Sequence, residues 1–206
     1  MNLLDAEDLC FAPAGRPLFD GLSFQLRPGL TFVRGGEGCG KSTLLRVIAG
    51  TQAVDAGRLK RWAHSCFHEQ PADTAHDQVV ARDWLAARQA GFADWNAVLA
   101  AALIDAFGLD EHIDKPMYML STGSRRKVGL VAAAASGAEL TLLETPFAAL
   151  DNASRRVLGE LLAEAAEPAD GERRAWVLAD YELPPLLAGV RLAALIDLGD
   201  EPPSAR

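Results

Sequence analysis

Short apolar runs and longer amphipathic stretches alternate along the 206-residue chain. Two β-rich runs come first, LSFQL at 22–26 and LTFVR at 30–34, and the RPG triplet between them has the residue types of a turn. Residues 41–50, KSTLLRVIAG, carry leucines and an isoleucine at helical spacing and end on a glycine. This segment predicts an amphipathic helix that stops at Gly50.

The apolar pattern changes twice in the rest of the chain. From about 78 to 136 the sequence is alanine-rich, with apolar residues three and four apart, which predicts mainly helices. Residues 140–143 (LTLL) and 175–179 (AWVLA) are instead short continuous apolar runs, typical of strands buried on both faces of a parallel sheet. A helical pattern at 152–166 connects them. The sequence therefore predicts an α/β core that carries a helical subdomain.

These patterns divide the chain into three parts. Residues 1–77 and 137–198 are expected to form the α/β core, and residues 78–136 the helical subdomain. Residues 199–206 are polar and rich in proline, so we expect a flexible tail.

Composition and charge narrow the class of protein. Half of the residues are apolar, enough for a buried core, and the net charge of −8 argues against a nucleic-acid partner, which normally needs a basic surface. No charge-free apolar run approaches the roughly 18–20 residues that span a bilayer. The N-terminal MNLLDAEDLC has acids where a secretory signal has basic residues. Three unevenly spaced cysteines are typical of reduced thiols, so we expect a cytoplasmic chain.

A glycine-rich segment lies between the run at 30–34 and the helix that follows. Residues 35–42, GGEGCGKS, match the pattern G-x-x-x-x-G-K-[ST] in the strand–loop–helix context that it requires. Glycines let backbone N–H groups approach phosphates, and the helix start directs its positive dipole end at them. Lys41 adds a mobile charge, and the Ser42 hydroxyl suits Mg²⁺. We expect a nucleotide to be bound by Gly35, Gly36, Glu37, Gly38, Cys39, Gly40, Lys41, Ser42 and Thr43.

A second apolar run ends in a carboxylate. In LLETPFAALD, residues 142–151, Glu144 closes the run and is followed directly by Thr145. The layout is typical of the magnesium-holding strand of nucleotide-hydrolysing sites, which usually has two adjacent acids at this point. Here one acid is followed by an alcohol.

Residues 120–130, LSTGSRRKVGL, resemble the LSGGQ signature of the ATP-binding cassette (ABC) family, at the family's distance from the phosphate loop and from Glu144. The resemblance covers about residues 1–198. It implies a P-loop NTPase (RecA-like) parallel sheet core with an inserted helical subdomain and an N-terminal antiparallel β region. It also implies ATP and Mg²⁺ as cofactors. In this family two chains face each other, so Ser121 and Gly123 of one chain would cover the γ-phosphate of ATP held by the other.

The same resemblance assigns further roles by position. Phe11 stands where the family has an aromatic that stacks on adenine, and Gln70 where it has the glutamine that contacts Mg²⁺ and reports to the transmembrane partner. Asp151 stands in the loop at the dimer interface. The basic triplet 125–127 is expected to be solvated or near the dimer seam. LFDGLSF at 18–24 and the short length resemble the compact subunits of export systems, including the heme-exporter type.

The chain departs from the family pattern at the catalytic step. Glu144 takes the place of the family's aspartate, and Thr145 that of the glutamate that polarises the attacking water. Tyr181, or Asp180 one register back, replaces a histidine that contacts the γ-phosphate. A hydroxyl is no useful base near neutral pH, and base assistance is worth about 10²–10⁴-fold, so hydrolysis should be slow. The expected catalytic residues are Lys41, Gln70, Glu144, Thr145 and Tyr181; the expected Mg²⁺ ligands are Ser42, Gln70 and Glu144.

The resemblance implies two protein partners: an integral membrane permease, which would hold the chain at the inner face of the membrane, and a second nucleotide-binding subunit. The dimer could be a homodimer with two weak sites. It could also be a heterodimer in which this chain is the hydrolysis-deficient half. A regulatory or scaffold protein that binds ATP without transport is the alternative from another class.

Overall fold

The computed structural model describes residues 2–70, 74–169 and 171–200. Within these residues the chain forms eight strands and five α-helices. The strands are β1 (Leu4–Phe11), β2 (Phe19–Leu26), β3 (Gly29–Arg34), β4 (Ala56–Arg61), β5 (Cys66–His68), β6 (Leu140–Glu144), β7 (Ala175–Asp180) and β8 (Ala194–Asp197). The helices are α1 (Lys41–Ala49), α2 (Ala81–Ala90), α3 (Ala97–Ala106), α4 (Thr122–Ala135) and α5 (Asn152–Ala165).

The strands form two sheets of different type. Strands β2, β1 and β4 make an antiparallel sheet in that order. The other five make a parallel sheet in the order β5-β6-β7-β3-β8. The predicted fold class, a parallel α/β core with helices and an N-terminal antiparallel region, is thus confirmed. The RPG triplet does not close a hairpin, because β2 and β3 belong to different sheets.

Alternation along the parallel strands explains why these runs are continuously apolar. Leu142 and Val177 point into the core shared with α1 and the antiparallel sheet. Leu143 and Leu178 point into the core on the opposite face, shared with α3, α4 and α5. Both faces are therefore buried, as the continuous runs predict.

The helices predicted between 78 and 136 are present as α2, α3 and α4. The division of the chain at these residues into a core and a subdomain stays a prediction. Of the tail predicted at 199–206, residues 201–206 lie outside the described residues. None of the described helices is long and apolar enough to cross a membrane.

Candidate nucleotide site

The phosphate loop connects β3, which lies between β7 and β8 in the parallel sheet, to α1. Gly38 and Gly40 have φ of +74° and +94°, the left-handed region that glycine adopts without a steric penalty. Gly40 also lies against the ring of Phe19, where a Cβ atom would come within 3.0 Å of the ring edge. The pattern of glycines is therefore required by backbone geometry and by close packing, and α1 begins directly after it.

The first half of the phosphate loop is hydrogen-bonded to the segment that follows β8. The N–H of Gly36 donates to the carbonyl oxygen of Gly199 at 2.8 Å. A Cβ atom on Gly36 would overlap the carbonyl oxygen of Asp200. Cys39, in the second half of the loop, is fully buried.

Lys41 is held inside the loop. Its Nζ donates to the carbonyl oxygens of Gly35 at 2.6 Å and Gly36 at 2.8 Å, and the side chain is almost completely buried. The same Nζ lies 4.0 Å from the centroid of the Tyr181 ring, which is a cation–π contact. The predicted lysine and the tyrosine in the histidine position are thus neighbours.

Two of the three predicted magnesium ligands are brought together. Ser42 lies in the first turn of α1, Glu144 ends β6, and the Ser42 hydroxyl donates a hydrogen bond to Glu144 Oε1. Hydroxyl and carboxylate oxygens are ligands that Mg²⁺ prefers, so this pair fits the ion. Gln70 lines a different, smaller cavity, and its Nε2 is 3.3 Å from His68 Nδ1. Its contact with Mg²⁺ stays a prediction.

These groups surround an open cavity of about 420 Å³. It contains most of the predicted phosphate-loop residues and the three residues at the departures from the family pattern. Leu18 and Arg46, which no sequence motif marks, also line it. The predicted residues at this cavity are Gly36, Glu37, Gly38, Gly40, Lys41, Ser42, Thr43, Glu144, Thr145 and Tyr181.

Thr145 has an unusual backbone conformation. Its φ of +41° is rare for a β-branched residue and costs on the order of 1–3 kcal/mol. Three hydrogen bonds hold it: its N–H donates to Ala179 O at 2.8 Å, and its carbonyl accepts from Arg126 Nη1 at 2.9 Å and from Ala148 N–H at 3.0 Å. The same Nη1 donates to Glu144 O at 2.9 Å. Arg126 therefore fixes the turn that presents both residues.

Of the two positions expected for the basic triplet 125–127, the solvated one is wrong, and a position near the dimer seam stays a prediction. The triplet lies on α4, whose turns direct the three side chains to different partners. Arg126 is buried, Arg125 pairs with Asp77 at 2.5 Å, and Lys127 pairs with Asp151 at 2.7 Å. The hydrogen bond from Lys127, together with that from Ser154 N–H, holds the pKa of Asp151 well below its usual range.

The predicted signature residues lie at the start of α4. Ser121 is its N-cap, and its Oγ accepts from Ser124 N–H at 3.0 Å. Gly123 packs so closely on the turn before Asp151 that a Cβ atom would lie 2.5 Å from Ala149 O. Asp151 in turn caps α5 by accepting from Ser154 N–H. These three predicted residues therefore belong to one region, and their function across a dimer stays a prediction.

Phe11 lies at the end of β1, half-buried, with its ring centroid 6.4 Å from that of Phe19. Because Phe19 touches Gly40, Phe11 is one ring removed from the phosphate loop. Its contact with adenine stays a prediction.

Two carboxyl groups near the site have raised pKa values: Glu69, which the sequence did not mark as a candidate, and Asp180, the alternative to Tyr181 at the histidine position. Burial raises the pKa of Glu69 to about 7; Arg126 lowers this pKa and Glu144 raises it. Burial also raises the pKa of Asp180, which accepts the N–H of Tyr181 at 2.8 Å. Glu69 directly precedes Gln70, and nothing in the local pattern marks it as a buried residue.

The parallel core, the glycine loop and the Ser42–Glu144 pair are those of a P-loop nucleotide-binding protein, and the antiparallel sheet and the signature residues at the start of α4 narrow the class to an ATP-binding cassette. The sequence model described as ABC transporter matches residues 19–148, and the chain belongs to this family. It is the ATP-binding subunit of an ABC transporter, and the members of this family are ATPases that work with a membrane permease. The resemblance drawn from the sequence is confirmed.

Particular relatives sharpen the comparison. The chain is 34% identical over 150 residues to the cytochrome c biogenesis ATP-binding export protein CcmA of Novosphingobium aromaticivorans, covering 72% of this chain and 74% of that one. It is 33% identical over 174 residues to CcmA of Pseudomonas aeruginosa, covering 78% and 85%. A solved ATP-binding subunit of an ABC transporter matches with a TM-score of 0.75 and 17% identity, over 88% of this chain and 80% of that one. That last match shows the fold alone.

Proposed function

We propose that this chain binds ATP with Mg²⁺, hydrolyses it slowly, and drives an export system similar to those of its cytochrome c biogenesis relatives. The Ser42–Glu144 hydrogen bond is the observation that carries the proposal, because it places an alcohol and a carboxylate side by side next to the phosphate loop. Mg²⁺ bound there would neutralise phosphate charge.

The binding half of the mechanism follows from the loop. The amides at the start of α1 and the positive end of its dipole would face the phosphates. Lys41 would exchange its two loop carbonyls for phosphate oxygens, which carry more negative charge and so form stronger hydrogen bonds. Arg46, which donates to Thr43 Oγ1 at 3.2 Å and lines the cavity, adds a second positive charge.

Slow hydrolysis follows from the residues after the carboxylate. The Thr145 hydroxyl can orient a water molecule but cannot accept its proton near neutral pH. The Tyr181 ring lies over Lys41 and supplies no imidazole. Thr145 and Tyr181 are thus two replacements at the hydrolytic step. They support a mechanism in which ATP binding, rather than ATP turnover, changes the state of the membrane permease.

The proposed assembly has two copies of the cassette on a membrane permease. Ser121 and Gly123 of one subunit would complete the ATP site of the other. The permease would hold the chain at the inner face of the membrane.

A hydrolysis-deficient half of a heterodimer is the second candidate. It is favoured by the intact cap at Ser121 and the close packing at Gly123, beside a site that lacks the base. Composition of the complex purified from native membranes separates the candidates. Two copies of this chain would support the homodimer, and a second cassette with an adjacent Asp-Glu pair the heterodimer. The absence of any membrane protein would refute the proposed assembly.

Steady-state turnover tests the proposed chemistry. We would compare the native chain, a Thr145→Glu/Tyr181→His variant and a Lys41→Ala blank, after confirming Mg-ATP binding by equilibrium titration. The double variant should exceed the native chain by about 10²-fold or more. Native turnover as fast as that of the double variant would refute slow hydrolysis. Native binding no stronger than that of the blank would refute the ATP site itself.

A further inference from the structure

Glu69 is a buried carboxylate that the proposed chemistry does not use. It follows β5 directly, its N–H donates to Leu142 O at 3.0 Å, and only 4% of the residue is exposed. Its side chain lies against α4 at Gly129, where a Cβ atom would come within 3.0 Å of Oε1 and 3.2 Å of Cγ. Gly129 therefore leaves room for the carboxylate of Glu69 beside α4, the helix that begins at the signature residues and is called the signature helix below.

The nearest opposite charge is Arg126. Its Nη1 lies 3.9 Å from Glu69 Oε2, which is an ion-pair distance but too long for a hydrogen bond. Among the described residues, neither Glu69 Oε2 nor Arg126 Nε has a hydrogen-bond partner. Burial of a carboxylate without a hydrogen bond to its charged partner lowers the stability of the folded state. The presence of Glu69 at this position is therefore better explained by a function through Arg126 than by a contribution to stability.

Arg126 also reaches the nucleotide site. Its Nη1 donates to the carbonyl oxygens of Glu144 and Thr145, so its position decides how this turn is presented. Three separate parts of the chain thus meet at one guanidinium group: the segment before Gln70, the signature helix, and the end of β6.

We propose that Glu69 is a positioning residue: it restrains Arg126 and, through it, the turn that carries Glu144. The inference rests on the proposed function, because its effect is felt at the Mg²⁺ ligand. Since Glu69 directly precedes Gln70, a displacement of that segment would move the carboxylate and change the restraint on Arg126. Glu69 itself need not touch nucleotide or metal.

The test separates phosphate binding from magnesium binding. ATP affinity is measured by titration calorimetry in Mg²⁺ and again in EDTA, and the ratio gives the Mg²⁺-dependent gain in affinity. Glu69→Gln should lower this gain about tenfold, as removal of outer partners of metal ligands does, and leave the affinity in EDTA unchanged. Glu160→Gln, an exposed glutamate on α5, is the matched control and should behave as the native chain.

A double-mutant cycle tests the connection through Arg126. Arg126→Lys should lower the gain as well, and the Glu69→Gln/Arg126→Lys pair should lose no more than the larger single loss, because the residues act in series. Gly129→Ala, which pushes the carboxylate without removing its charge, should also lower the gain.

Three outcomes would overturn the proposal. The first is a Glu69→Gln variant whose Mg²⁺-dependent gain in ATP affinity equals that of the native chain, and the second is a double variant in which the two single losses multiply. The third is a Glu69→Gln variant that loses ATP affinity equally in EDTA and has an altered circular dichroism spectrum. If the native chain shows a clear gain and Glu69→Gln shows the same gain, only the positioning function fails. A native chain with no Mg²⁺-dependent gain would overturn the proposed function as well.

Discussion

The contact between Lys41 and Tyr181 predicts that removing the tyrosine ring strengthens ATP binding. The Lys41 ammonium group lies 4.0 Å from the ring centroid and donates to two loop carbonyls, so it must leave this arrangement to reach phosphate oxygens. A cation–π contact at an exposed site is worth about 0.5–1 kcal/mol, and 54% of Tyr181 is exposed. Tyr181→Ala should therefore bind ATP about two- to fivefold more tightly than the native chain.

The assay is equilibrium titration of the purified variants with ATP and with ADP. Tyr181→Phe keeps the ring and should retain the native affinity. Tyr118→Ala removes the other tyrosine, which is 57% exposed, and serves as the control for loss of a surface ring. Weaker ATP binding by Tyr181→Ala would contradict this prediction, because it would mean that the ring stabilises the ATP-bound state more than the nucleotide-free contact with Lys41.

Three further predictions concern stability, measured by urea unfolding. Thr145→Gly should raise the free energy of unfolding by about 1 kcal/mol, because glycine adopts the left-handed φ without strain; an unchanged or lower value would contradict this. Ser121→Ala should lower it by about 1 kcal/mol through loss of the N-cap, and Ser121→Asp should restore it. Burial raises the pKa of Glu139, but the hydrogen bonds from Arg173 and His64 N–H outweigh this effect, so its pKa is lowered. Stability from Glu139 is therefore present above its unfolded pKa and lost as the pH falls through its folded pKa: Glu139→Gln should cost about 1 kcal/mol at neutral pH and less near pH 3. An equal cost at both pH values would argue against the charged pair.

The elements with a strong local pattern were predictable from the sequence. Continuous apolar runs predicted β6 and β7, and helical spacing with a terminal glycine predicted α1. Each of these signals lies within a short window, so tertiary context changes it little. Strands β1 and β4 were harder to predict from the sequence, because acidic and basic side chains at their exposed positions obscure the alternation of apolar and polar residues.

The site was predictable where it depends on spacing along the chain. The loop lysine, Ser42 and Glu144 follow from two motifs, and the fold brings them together. The burial of Glu69 and Arg126 was not predictable in this way. It depends on contact between α4 and the residue that follows β5, which are far apart in sequence. It also depends on Gly129, whose importance is visible only once Glu69 is known to lie against it.

The hydrogen bond between Gly36 N–H and Gly199 O ties only the first half of the phosphate loop to another segment, so we expect the two halves to differ in dynamics. An amide with a partner on another segment should exchange with deuterium slowly before nucleotide is added, and ATP should change that rate little. Protection should instead rise in the half of the loop nearer α1, where Gly38, Gly40 and Lys41 line the cavity. Because one end of the loop is already anchored, fewer backbone torsions need to be ordered on binding, and the entropy lost per phosphate contact is smaller.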